Sequence, residues 1–173
     1  MQYIRNNLIA GLKSSPLPNL RFSLLVTILY GVLAFAIGAF GGVFNYGLLD
    51  SQLIFFLPIT MFVFPCLLEE GFFRGLLIPR SVFDKSVGLK ATAIVGSSLL
   101  FTLWHPLNAF LFNFGAQPFF YDLYFLAIVF VLGIACGIVY IASRSLWVPI
   151  FMHWLTVFVW VLFLGGRNLV KDI

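Results

Sequence analysis

The sequence predicts an all-α, polytopic membrane bundle of about five to six transmembrane helices, and three observations lead there. Hydrophobic residues fill 62% of the 173 positions and charged residues only 9%, where a soluble domain carries roughly 45–50% and 25%. The apolar residues come in runs of about 20, the length that crosses a bilayer as a helix. Basic residues stand singly at the ends of those runs, as topology signals do, and form no stripe that would bind nucleic acid. A chain of this length holds one such bundle and little else, so a single domain over residues 1–173 is expected, with the chemistry-bearing motifs between residues 52 and 164.

The first run, Phe22 to Phe40, contains Gly31 and Gly38, which let helices approach closely. No small-residue cleavage site follows, so it reads as a span and not as a removed signal peptide. Gly41 and Gly42 end it. The second run, Gln52 to Ile78, is expected to kink at Pro58 and Pro65 and to close at Pro79. A connector with Arg80, Asp84, Lys85 and Lys90 leads to a third span, Ala91 to Leu111. The fourth, Leu123 to Ala142, has Gly133 and Gly137 four apart, the pattern of a closely packed interior helix. A tight turn at Ser143–Ser145 opens the fifth, Trp147 to Leu164, with Pro149 in its first turn.

Charge sets the orientation. With the N-terminus in the cytoplasm, Arg5, Lys13, Arg21, Arg80, Lys85, Lys90 and Arg144 all fall inside, and only Arg167 and Lys171 fall outside. Cys66 and Cys136 lie within spans without metal-ligand or redox spacing and read as small core residues.

The segment EEGFFRG, Glu69 to Gly75, departs from everything around it. A charged side chain at the centre of a membrane helix costs about 2.5–3.5 kcal/mol on insertion scales, so intramembrane acids and bases are functional by default. Glu70 and Arg74, four apart with the acid first, meet on one helix face. Glu69, turned about 100° away, is left for other work. The plain structural alternative for the Glu70–Arg74 pair is that it orients helices.

The chain's two histidines also fall inside spans, His105 on the third and His153 on the fifth. Counted from the same membrane surface at about 1.5 Å per residue, Glu69 lies about 15 Å deep, His153 about 10 Å and His105 about 20 Å. Pro106 is expected to bend or break the third helix beside His105. A lone buried histidine is more often an interhelical contact, but two histidines and a free acid on three different spans point to one shared site.

These residues resemble the CPBP family (CAAX proteases and bacteriocin-processing enzymes, also called ABI), which includes the type II CAAX-prenyl endopeptidases. The likeness rests on EEGFFR at Glu69–Arg74, FTLWH at Phe101–His105 and the later His153, and covers about the last two thirds of the chain. It implies an intramembrane endopeptidase without metal or other cofactor, acting on a membrane-bound or lipid-proximal protein or peptide within the lipid bilayer of the cell. Glu69 would activate a water with help from His105, Glu70 and Arg74 would support the site, and His153 would belong to the oxyanion hole. Phe101, Trp104, Asn108, Thr156 and Val157 are expected to contact substrate. The family usually places Asn or Asp four residues after the last histidine, where this chain has Val157; Thr156, Asn108 or a backbone amide would have to replace that donor.

An acid held in a low-dielectric bundle is a stronger base than one in water, and a histidine N–H aimed at a developing oxyanion stabilises it by a few kcal/mol. Two other readings use the same residues. Glu69, Glu70, His105 and His153 are also zinc-ligand types, although no HExxH is present. A degenerate scaffold or immunity protein, or a proton-coupled transporter with a Glu/His relay, needs no hydrolysis; no internal repeat of the transporter kind is visible.

Overall fold

A computed structural model describes residues 1–166, and every regular element among them is helical. A short helix α1 covers residues 2–13. Then come α2 (Leu20–Phe40), α3 (residues 57–76), α4 (Val87–Leu111), α5 (Leu123–Ser143) and α6 (Trp147–Phe163). Three of them, α2, α4 and α5, are long and apolar enough to cross a membrane, and α6 is an apolar helix of 17 residues.

The second expected span is corrected. Residues 52–56 form turns, so the helix starts at Leu57, and Pro58 occupies its first turn instead of kinking it. The break comes at Phe64, whose backbone is extended (φ −134°, ψ 113°). Pro65 forces it: the residue before a proline is pushed out of the helical region, and proline itself has no N–H to donate. Beyond the break the helix widens into π turns on either side of Leu68–Glu70. Such wide turns are frequent at functional sites.

The third expected span is corrected in the opposite sense. Helix α4 begins at Val87 and runs unbroken through Pro106 to Leu111. The proline ring removes a single backbone hydrogen bond, a loss that membrane helices absorb through neighbouring helices and local adjustment. Its 25 residues make a rod about 37 Å long, which fits a layer of about 30 Å by tilting.

Helix α5 is the centre of the bundle, with α2, α4 and α6 packed around it. Its side-chain cap is Asp122, which accepts a hydrogen bond from the Phe125 N–H at 2.8 Å. Gly133 allows the approach of α4: a Cβ there would stand 2.9 Å from Ser98 Cβ. One turn on, a Cβ at Gly137 would meet Ile94 at the same distance. The outer face of α2, with Leu25, Ile28, Leu29 and Val32, is left exposed, as suits a helix whose solvent is lipid.

Helix α1 closes one end of the bundle. Its backbone carbonyls at Gly11 and Leu12 accept from the Leu146 N–H (3.0 Å) and Trp147 Nε1 (2.8 Å). The buried Asn7 accepts from the Arg80 N–H at 2.8 Å, and the Tyr3 hydroxyl donates to the Leu76 carbonyl at 2.7 Å. Arg80 and Arg144 both stand over the Phe83 ring, and Arg144 pairs with Asp84. This end gathers Arg5, Lys13, Arg21, Arg80, Lys85, Lys90 and Arg144; the connections at the other end, residues 41–56 and 112–122, carry Asp50 and Asp122 and no Lys or Arg. Arg167 and Lys171, expected on the far side, lie outside the described residues.

Candidate active site

The C-terminal half of α3 delivers the charged cluster, and helical spacing divides the work within it. Glu70 Oε1 accepts from Arg74 Nη1 at 3.0 Å, with both side chains wholly buried. Arg74 Nη2 donates to the Gly133 carbonyl at 3.1 Å, and its guanidinium lies 4.5 Å over the Phe101 ring. One cation thus ties α3 to α5 and α4 at once.

His153 of α6 stands between the two acids. Its Nδ1 donates to Glu70 Oε1 at 2.9 Å, and its Nε2 lies 3.9 Å from Glu69 Oε2. Glu69 is not wholly free, because Trp104 Nε1 donates to its Oε1 at 3.1 Å. Its Oε2 is buried without a hydrogen-bond partner among the described residues. His105 gives its Nδ1–H to the Phe101 carbonyl at 2.9 Å; a carbonyl only accepts, so in the neutral ring Nε2 is left as the acceptor. Both histidine rings stand edge-on to Phe101, at 5.0 and 5.5 Å between centroids.

A cavity of about 630 Å³ opens over this cluster. Glu69, Trp104, His105, Asn108, His153, Thr156 and Val157 all line it, so three helices bring the expected residues to one wall. Phe101 is corrected: it does not line the cavity but is fully buried behind it, where it carries Arg74 and wedges between the histidines. Glu70 and Arg74 likewise stand behind the wall. Among the described residues no three His, Cys, Asp or Glu side chains converge as metal ligands.

The lining from α2 was not foreseen; that helix contributes Thr27, Tyr30 and Gly31. A faint signal existed, since Thr27 and Tyr30 are polar side chains three apart on a run whose other polar side chain is Ser23. Phe35 of α2 and Phe64 at the α3 break line the cavity and are both exposed.

The profile of the type II CAAX prenyl endopeptidase Rce1-like family matches residues 50–159, well over half of the chain. The chain belongs to that family. Membership places it among membrane-embedded proteases, with a membrane-associated substrate. The match takes in all five residues of the cluster and leaves α1 and α2 outside. Comparison with curated proteins and with solved structures finds no match.

Proposed function

We propose that this Rce1-like chain is an intramembrane endopeptidase of the glutamate type, in which Glu69 activates a water against the peptide bond of a membrane-associated substrate. The observation that carries the reading is the division between the two acids. Each acid leaves its Oε2 without a partner among the described residues, but Glu70 is wholly buried behind the wall and tied to Arg74 and His153, whereas Glu69 lines the cavity and keeps part of its side chain exposed there.

In this reading Glu69 takes a proton from water while His105 Nε2 orients the other. The hydroxide oxygen bonds to the carbonyl carbon, and the carbonyl electron pair moves to its oxygen. The oxyanion's pair then returns to re-form the carbonyl as the C–N bond breaks, its electrons leaving with the nitrogen, and Glu69 returns the proton to that amine and is again a carboxylate. His153 reaches the oxyanion through Nε2, which requires the doubly protonated ring because Nδ1 is spent on Glu70. The second donor is assigned to Asn108, in the cavity wall three residues beyond His105. Thr156 is the weaker choice, since its hydroxyl already donates to the Met152 carbonyl at 2.9 Å. Substrate enters sideways past Phe35 and Phe64, and the basic end of the bundle faces the cytoplasm.

The test is Glu69→Gln, which keeps shape and loses the base. The purified variant and parent are assayed in lipid on a panel of membrane peptides, a prenylated peptide ending in a CAAX sequence among them. Turnover should fall by about 10²–10⁴ with the fold intact. Undiminished cleavage would overturn the glutamate assignment, and activity abolished by a chelator with metal bound one to one would replace it by the zinc reading.

A further inference from the structure

We infer that Tyr30, on the helix outside the family match, is a substrate-binding residue whose hydroxyl hydrogen-bonds the substrate's backbone in the cavity that Glu69 also lines. The inference rests on the endopeptidase reading above and adds a binding wall to it.

Tyr30 is 6% exposed and lines the cavity, and its Oη has no hydrogen-bond partner among the described residues. The polar side chain beside it is Thr156, whose proton goes to the Met152 carbonyl and whose oxygen can still accept, yet the two hydroxyls do not reach hydrogen-bonding geometry. A hydroxyl without a partner in apolar surroundings is unfavourable by about 1–3 kcal/mol on protein mutational data, a reason for a membrane helix to carry Phe at this position instead. A phenol that can donate and accept suits a peptide group laid in the cavity, because an extended segment drawn into lipid surroundings has its own amides to satisfy. Placed on α2 beside Thr156, Tyr30 holds the substrate segment in the cavity that Glu69 lines. Gly31 supports the same use of the helix: it lines the cavity and nothing stands within 4 Å of where its Cβ would be, so the wall there is set back.

The experiment separates binding from chemistry and from folding. Tyr30→Phe is made alone and together with Glu69→Gln, and a fluorescent prenylated CAAX peptide in nanodiscs serves as probe. Alone, the variant should raise KM about tenfold with kcat nearly unchanged, and should melt at or above the parent's temperature because an unpaired buried hydroxyl has been removed. In the Glu69→Gln background, equilibrium binding of the probe should weaken by the same factor. That arm reads Tyr30 whether or not Glu69 is the base. Unchanged KM and binding would overturn the inference. So would a lower melting temperature without a binding loss, which would mark Tyr30 as a structural residue, or a fall in kcat alone, which would move its hydroxyl to the transition state. Gly31→Leu, which pushes a side chain into the same space without touching the hydroxyl, should also raise KM for the probe; an unchanged KM there would show that α2 does not bound the substrate.

Discussion

At the scale of single residues, Arg74 is held by geometry more than by charge. It makes an ion pair with Glu70, donates to a backbone carbonyl on α5 and stacks over Phe101. Only a planar fork does all three, because a lysine ammonium has no face to stack and no second arm fixed in direction. Arg74→Lys should therefore lower thermal stability in detergent and reduce activity, and Arg74→Ala should cost about 3–5 kcal/mol by taking the cation from a wholly buried pair and leaving Glu70 with the His153 hydrogen bond alone. A lysine variant as stable as the parent would show that charge alone suffices. The oxyanion assignment is tested by a pair of changes. Asn108→Ala should lower kcat by about 10²-fold, and adding Val157→Asn, also in the cavity wall, should recover part of the loss. Full activity in Asn108→Ala would remove that residue from the oxyanion hole.

At the scale of elements, the site depends on how closely α4 can lie on α5. Gly133 serves twice, its missing side chain admitting Ser98 and its carbonyl accepting from Arg74. Gly133→Ala should push the helices apart at about 1–3 kcal/mol, the usual scale of overpacking, and should lose activity through Arg74. Gly96 on α4 is the control, since nothing lies within 4 Å of its would-be Cβ. Thermal melting and turnover of Gly133→Ala and Gly96→Ala decide the matter, and equal behaviour would mean that the α4–α5 approach is slack. The break at Phe64 belongs to this scale as well: it ends one helical stretch of α3 and starts the one that carries both acids, and it leaves Phe64 on the surface at the edge of the cavity.

For the whole molecule the charges report orientation. Basic side chains collect at the end where α1 docks, and the described connections at the opposite end have none. The two native cysteines are buried, so an introduced surface cysteine can be read by a membrane-impermeant maleimide. Lys85→Cys should label only from the cytoplasmic face, and Tyr46→Cys, at the opposite end and exposed, only from outside. The reverse pattern would invert the topology and place the basic end in the wrong compartment.

Local patterns were enough to make the membrane bundle legible, along with the reach of α5, the Glu70–Arg74 pair and the singling out of Glu69, His105 and His153. Each depends on spacing along one helix or on the solvation of one residue type: a carboxylate in lipid surroundings stands out wherever its helix ends up, and an i,i+4 pair meets whatever lies around it. What tertiary structure alone decided was direction and company. Pro65 breaks α3 while α4 runs on through Pro106, because the cost of a missing N–H depends on the surroundings of the freed carbonyl. Phe101 turned inward to carry Arg74 instead of facing substrate, His153 spent one nitrogen on Glu70, and Trp104 took one oxygen of Glu69. Tyr30 came to the cavity from a helix with no motif at all. These are relations between side chains far apart in the chain, set by how the helices pack around α5, and no periodicity within any one of them encodes that.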